Sequence, residues 1–210
     1  MDIANIRKDY TLKSLELDEM ADRPLDQFDR WLEEAIIAEV NEPNAMNLAT
    51  INSQNRPSSR IVLLKGLDHG FVFYTNYDSK KGKELQQRPF AALNFFWPEL
   101  ERQVRVEGDV EKVSEADSDK YFHSRPVSSQ IGAWASPQSQ AIPDRRFLEN
   151  REKQMIQRFQ TETLTRPEHW GGFRLIPYYF EFWQGRASRL HDRVIFEKET
   201  DQWIKKILAP

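Results

Sequence analysis

Four groups of cations in this sequence stand beside hydroxyls, amides or rings in ways that suit phosphate chemistry. The densest is EFWQGRASRLHDR, residues 181–193, where Arg186, Arg189, Arg193, His191 and Trp183 surround Gly185. Guanidinium groups beside an imidazole and a large ring fit an anionic, planar ligand; taken singly, each residue also fits a solvated basic turn with a core tryptophan. A second group is Asp78-Ser79-Lys80-Lys81. Asp78 or Ser79 is an N-cap candidate, and two lysines in a helix's first turn oppose the helix dipole, which favours acids there. A phosphate at that helix start would collect backbone N–H groups and both ammonium groups; a solvated lysine pair is the competing reading. The third group, Tyr121, Arg125 and Ser129, falls at successive i+4 steps, so a backbone that stays helical through Pro126 puts a phenol, a guanidinium and a hydroxyl on one face. The fourth pairs Arg60 with Lys65 at opposite ends of one strand. Their odd spacing sends them to opposite faces of a flat strand, so a bend, a twist or a second subunit must intervene if both serve one ligand. Gln103 on a strand and Gln138 and Ser139 in a loop add neutral polar groups. Gln103 suits hydrogen bonding to a heterocycle and equally suits solvent.

An acidic chain with cations gathered at helix starts and strand ends points to more than one bound phosphate, such as a phosphorylated cofactor and a phosphorylated substrate. The formal net charge is −3 over 210 residues, which argues against a general nucleic-acid or membrane-surface binder. No apolar run is long enough to span a bilayer, and the first residues lack the apolar centre of an export signal. There is no cysteine, which removes disulfides, thiolate nucleophiles, thiolate-bound zinc and iron–sulfur clusters together. A cytoplasmic location is expected. The four histidines show no paired spacing, so no metal is expected. Neither a G-x-S-x-G elbow, a GxGxxG fingerprint nor a GxxxxGK[ST] loop is present, which counts against a hydrolase triad, a Rossmann site and a P-loop.

The elements that must position these groups are read from periodicity. Residues 1–25 are polar with little periodicity and read as an arm; Arg7, Lys8 and Tyr10 form a short basic-aromatic group within it, which on the residues alone reads as part of a disordered tail. Pro24 and Asp26 introduce a helix whose Phe28, Trp31, Leu32, Ala35, Ile36 and Val40 mark one buried face. Strands follow at 45–51, 58–65 and 70–75, the last two paired as a hairpin, then a helix to about residue 87 and strands at 90–97 and 102–113. Ser114 caps a helix to residue 123, with Asp117 three residues on. Residues 143–160 form a charged covering helix with Phe147, Leu148, Met155 and Phe159 inside. Strands close the chain at 173–176, 178–184, 189–198 and 203–208. Hairpin-sized links make the fold α+β, with a largely antiparallel sheet able to close into a barrel.

The segments RIVLLK, VFYTNYDSKK, ERQVRVEG, KYFHSRPVSSQIGAW, SPQS, HWGGFR, FEFWQGRASRLHDR and the terminal ILAP resemble, in order and over nearly the whole chain, the pyridoxamine/pyridoxine 5′-phosphate oxidase family. The resemblance implies an FMN-binding split β-barrel at 26–210, including a C-terminal dimerisation region, and an arm at 1–25 over the substrate site. It implies a homodimer with FMN in clefts between subunits, and oxidation of pyridoxine and pyridoxamine 5′-phosphates with dioxygen. FMN contacts carry over to Arg60, Ile61, Val62, Leu63, Leu64, Lys65, Tyr74, Thr75, Lys80, Lys81, Gln103, Gln138, Ser139, Trp183 and Arg193. Substrate contacts carry over to Arg7, Lys8, Asp9, Tyr10, Lys65, Tyr121, Arg125, Ser129, Arg189, Leu190 and His191, with Arg189 and His191 facing the pyridine ring near the reacting carbon. On this basis the arm closes over substrate and is not a tail. Many members of that family carry arginine where this chain has Lys80, and lysine keeps the charge without the bidentate fork. The competing functions are another split-barrel flavin reductase, which needs no Tyr121–Arg125–Ser129 set, and a non-catalytic pyridoxal-phosphate carrier, which needs no Arg60, Lys80, Lys81 or Trp183.

Overall fold

The computed structural model describes residues 2–5 and 9–210, so the expectations for Arg7 and Lys8 lie outside the described residues. Among the described residues five α-helices surround one sheet: α1 (Pro24–Ile37), α2 (Lys80–Gln87), α3 (Glu115–Ser124), α4 (Val127–Ala135) and α5 (Arg145–Arg158). The strands are β1 (Ala45–Ile51), β2 (Pro57–Leu63), β3 (Gly66–Leu67), β4 (Phe71–Asn76), β5 (Phe90–Trp97), β6 (Arg102–Lys112), β7 (Trp170–Gln184), β8 (Asp192–Glu199) and β9 (Gln202–Ile207). All pairings are antiparallel, in the order β2-β1-β5-β6-β7-β4-β3, with β8 and β9 branching from β7.

The branch at β7 is what splits the sheet. One edge of β7 runs along β6 for its length, while the other pairs with β4 over its first half and with β8 over its second. Between the halves the register shifts at Glu107/Gly108, opposite Pro177 and Tyr179. Proline lacks the N–H that a ladder needs, and a bulge bends the strand where it sits. The sequence reads two strands here, at 173–176 and 178–184, because Pro177 interrupts the pattern; the chain instead runs through as one bulged strand. A Cβ at Gly108 would lie 2.3 Å from the Ile176 carbonyl oxygen, so only glycine lets the two backbones meet at the bend.

The sheet curls around an aromatic core in which Phe28, Phe71, Phe73, Phe95, Trp97, Phe180, Phe182 and Phe196 are buried. Helix α1 closes it: Phe28 lies edge-on to Phe71 at 4.8 Å, and Trp31 edge-on to Phe182 at 5.2 Å. Edge-to-face pairs of this kind suit the ring quadrupoles. Ile36, expected on the buried face, is 58% exposed, because the helix buries a narrower stripe through Gln27, Phe28, Trp31 and Ala35. Helix α5 is half-buried at Phe147, Leu148, Met155 and Phe159, so it covers without entering the core.

One local expectation is corrected. Strand β2 pairs with β1 and not with β4; only the two-residue β3 forms the hairpin with β4, while the Lys65 N–H reaches the Val72 carbonyl. Lys65 therefore lies past the end of β2, and its face relative to Arg60 is set by the turn, not by strand parity. The helix stops before Pro126, as the proline requires, so Tyr121, Arg125 and Ser129 do not share one continuous helical face. Arg125 is extended (φ −80°, ψ 153°), as a residue before proline must be, and separates α3 from α4. No helix among the described residues is long and apolar enough to cross a membrane.

Candidate active site

The start of α2 is built as its sequence asks. The Ser79 hydroxyl accepts the Gly82 N–H at 3.2 Å and so is the cap. A Cβ at Gly82 would sit 2.3 Å from the Tyr77 carbonyl oxygen, so glycine lets the helix start press against the end of β4. That brings Lys81 over β4, where its ammonium donates to the Thr75 hydroxyl and to Gln138 Oε1, each at 3.2 Å. Burial pushes the Lys81 ammonium below the ordinary lysine value, and the neighbouring Arg60 charge pushes it the same way. Glu84 pulls the other way, so Lys81 is a desolvated cation beside Arg60 and Glu84 whose charge a bound anion would stabilise.

Lys81 borders a cavity of about 380 Å³ whose walls include Ile61, Val62, Leu63 and Lys65 from β2 and the turn after it. Tyr74, Thr75 and Gln138 form its floor, and Tyr121, Arg125 and Trp170 its far wall. That wall is rigid: Tyr74 stacks on Tyr121 at 4.0 Å, and the Arg125 guanidinium lies 4.6 Å from the centre of the Trp170 ring. One Arg125 Nη donates to the Ser129 carbonyl at 2.9 Å. Its other, Nη1, is buried with no hydrogen-bond partner among the described residues. Burial lowers the pKa of this guanidinium, yet an arginine this far from titration stays charged. A buried, charged donor without an acceptor is costly, and a bound oxyanion would satisfy it. Ser129 borders an adjoining cavity of about 300 Å³ that shares Arg125, Gln138 and Trp170. Tyr121 and Ser129 thus border adjoining cavities that share Arg125, across a break between two helices and not on one helical face.

Arg60 is placed differently. Its Nη1 donates to the Leu48 carbonyl and Thr50 hydroxyl, and its Nη2 to the Ser58 hydroxyl at 2.8 Å and Glu84 at 3.2 Å. It is anchored beneath α2 and does not line the cavity. Leu64 turns into the core, Lys80 is largely exposed with its ammonium 4.0 Å from Glu84, and Ser139 is exposed in a left-handed conformation (φ 69°). Glu84 itself was missed in the sequence, where it reads as the surface partner of Lys80 at i+4.

The second group lies at the far end of β7. Gln103, Trp183 and Arg193 are neighbours across β6, β7 and β8 and share one outward face. Arg193 donates to Glu181 at 2.8 Å, and Arg105 donates to the same buried carboxylate at 2.9 Å. The Glu181 hydrogen bond holds the Arg193 guanidinium above its ordinary value. Glu181 was also missed, although it alternates with Phe180 and Phe182 and so had to share the face of Trp183. His191 packs 4.6 Å from Trp183, and its Nδ1 accepts the Arg186 N–H at 3.1 Å, which leaves the proton of a neutral ring on Nε2. The turn holding Arg189 was read as strand; it is a short 3-10 turn in which Ser188 and Arg189 both have positive φ (56° and 61°). Arg189 and Leu190 are exposed, as is Asp9, while Tyr10 lies edge-on to Trp183 at 5.6 Å.

Among the described residues no hydrogen bond, ion pair or ring contact joins the two groups. Thr75 pairs with Gly171 at one end of β7 and Gln103 with Trp183 at the other. Twelve residues of strand separate those ends by roughly 40 Å before curling is counted.

An antiparallel split barrel whose cavity is bordered by a lysine from a helix start and by a half-buried arginine is the class of protein described by this fold and site, with charges that suit a phosphorylated ligand. Comparison with known proteins narrows the class. Residues 32–158 match the family model described as pyridoxamine 5′-phosphate oxidase, and residues 170–210 match the pyridoxine 5′-phosphate oxidase C-terminal dimerisation region. The chain belongs to the pyridoxamine 5′-phosphate oxidase family. It is 55% identical over 210 residues to a pyridoxine/pyridoxamine 5′-phosphate oxidase of Leptospira interrogans, covering 99% of this chain and 98% of that one. It is 57% identical to pyridoxine/pyridoxamine 5′-phosphate oxidase 1 of Ralstonia nicotianae, covering 99% of each. The solved structure of PhzG from Burkholderia lata 383, in complex with tetrahydrophenazine-1-carboxylic acid, superposes with a TM-score of 0.90 at 31% identity, covering 97% of this chain and all of that one.

Proposed function

We propose that this chain oxidises pyridoxine 5′-phosphate and pyridoxamine 5′-phosphate to pyridoxal 5′-phosphate, with FMN as cofactor and dioxygen as final oxidant. The alcohol and dioxygen give the aldehyde and hydrogen peroxide; the amine also consumes water and releases ammonia. The observation that carries the reading is the buried Nη1 of Arg125, without a hydrogen-bond partner among the described residues, in a cavity that also holds Lys65, Tyr121 and, toward α2, Lys81. Two phosphate sites in one cleft suit a phosphorylated cofactor and a phosphorylated substrate.

The donor set fits FMN. Lys81 and the α2 start suit its phosphate, and Gln138 and Thr75 offer polar atoms along the cavity floor. Bound FMN supplies a two-electron acceptor for the substrate's hydride and a route for those electrons to dioxygen. The protein's part is position and charge. Lys65, Tyr121, Arg125 and Ser129 hold the substrate phosphate, and the Tyr74–Tyr121–Trp170 stack keeps that wall from moving. Arg189 and His191 orient the pyridine ring, with His191 presenting Nε2–H to it. No side chain serves as an indispensable general base.

The working unit in this proposal is a homodimer with each FMN between subunits. One chain gives the Lys81–Arg125 cleft and the other the Gln103–Trp183–Arg193 row. The separation of these groups along β7 supports this, since one mononucleotide does not reach both within a chain. The outward sheet face supports it too: Ile61 and Phe96 are 65% and 53% exposed there, beside Asn47 and Asn94 whose buried amide oxygens have no hydrogen-bond partner among the described residues.

The test compares turnover of pyridoxine 5′-phosphate with that of pyridoxine. The proposal expects kcat/KM to fall by at least about 10³ without the phosphate, the loss of charge-assisted contacts to Lys65 and Arg125. Comparable turnover of both, or preference for a carboxylated ring without phosphate, would overturn it.

A further inference from the structure

We propose that Glu101 is a positioning residue that holds the arm, residues 10–12, over the Trp183–His191 pair. Its consequence for turnover rests on the function proposed above. Glu101 occupies the tight connection between β5 and β6, is 3% exposed and has a positive φ of 54°. A glutamate in the left-handed region with its carboxylate out of water is unfavourable on both counts, so something must compensate. The compensation runs in two directions. Glu101 Oε2 accepts the Thr11 N–H at 2.8 Å and the Leu12 N–H at 3.1 Å. Its backbone carbonyl accepts the Gly185 N–H at 2.8 Å and Gln184 Nε2 at 3.2 Å. Gln184 is fully buried and its Oε1 accepts Arg102 Nε at 2.9 Å, which fixes this corner.

One residue therefore ties the arm to the turn that carries Arg189 and His191. Residues 9–16 have no regular secondary structure, so their course depends on contacts of this kind. Hydrogen bonds to an ionised carboxylate are the stronger sort, and two from successive residues define direction as well as position. Tyr10 is delivered edge-on to Trp183 at 5.6 Å and to His191 at 5.8 Å. Gly185 leaves room for it: a Cβ there would lie 2.6 Å from Tyr10 Cγ. Further along, the Leu15 N–H reaches Asp192, which also pairs with Arg186 at 3.3 Å. The sequence shows none of this, because Thr11, Leu12, Gln184 and Gly185 each stand more than eighty residues from Glu101.

The experiment measures amide hydrogen exchange and steady-state kinetics on the FMN-loaded full chain and its Glu101→Gln variant. Glutamine keeps the shape and one acceptor but removes the charge. Thr11 and Leu12 amides are expected to exchange at least about tenfold faster, with Val104 and Phe182 unchanged. KM for pyridoxine 5′-phosphate is expected to rise about tenfold with FMN affinity constant, and this rise is expected to vanish in a Tyr10→Ala background. Thr11→Pro removes one arm donor without touching Glu101 and is expected to reproduce the KM rise, which keeps the test decisive should Glu101→Gln misfold. Unchanged exchange at Thr11 and Leu12, or an equal KM rise without Tyr10, overturns the assignment. A wild-type chain without oxidase turnover would count against the proposed function alone, and the exchange rates would still decide the role of Glu101.

Discussion

Glu84→Ala is expected to destabilise the protein by about 3 kcal/mol. The carboxylate is 5% exposed and accepts from Thr50 Oγ1 at 2.6 Å, Ser58 Oγ at 2.9 Å and Arg60 Nη2 at 3.2 Å. Removing one member of a buried ion pair costs about 3–5 kcal/mol because the other charge is left behind. Arg60 is 20% exposed and keeps its bonds to Leu48, Thr50 and Ser58, which places the loss at the lower end of that range. In a chain of this length about 3 kcal/mol corresponds to a Tm lowered by roughly 6–12 °C. Equilibrium urea unfolding at matched protein concentration reads the difference directly. The pH dependence gives a second reading. Burial pushes the Glu84 carboxyl up, but the Thr50 and Ser58 hydroxyls and the Arg60 charge outweigh it and hold the pKa below the ordinary 4.5. Its folded pKa lies below its unfolded value, so the contribution is complete above about pH 4.5 and fades as pH falls through the folded pKa. Wild type and Glu84→Ala should therefore converge in stability in acid. A loss under about 1 kcal/mol at neutral pH, or a gap that does not narrow in acid, would refute the argument.

Three further substitutions test the proposed site. Arg125→Ala should raise KM for pyridoxine 5′-phosphate by about 10²-fold with kcat within a few-fold, because its contact is made in ground and transition states alike; a large fall in kcat at constant KM would contradict that, in steady-state assays. His191→Ala should slow turnover without abolishing it, read in single-turnover kinetics with FMN and substrate both bound; complete loss would make His191 an essential acid or base. Phe96→Asp places a charge on the outward sheet face and should shift the protein to monomer in analytical ultracentrifugation, with loss of bound FMN; an intact dimer would move the interface elsewhere.

What could be read in the sequence was whatever is decided locally. The Ser79 and Ser114 caps, the Phe28–Trp31–Ala35 stripe and the stop before Pro126 depend on near neighbours, and each is where its residues place it. Partners chosen across the chain were harder. Nothing in SSRIVLLK says that β2 pairs with β1, and parity could not relate Arg60 to Lys65 once the strand ended at Leu63. The pattern break at Pro177 reads as an end of strand, yet β6 carries the chain through it as a bulge. The cations of the site were visible because unpaired charge at helix starts and strand ends conflicts with local preference. Glu84, Glu101 and Glu181 were hidden because a buried carboxylate and a solvated one look alike until the fold brings its donors from distant strands.

FMN held by this chain is reduced by a phosphorylated vitamin B6 alcohol. The visible absorption spectrum of the purified protein, before and after anaerobic addition of pyridoxine 5′-phosphate, tests this most directly. Flavin bands that bleach with substrate and return with air are the expected result. A flavin spectrum indifferent to pyridoxine 5′-phosphate, or a colourless protein that FMN does not reconstitute, would contradict it.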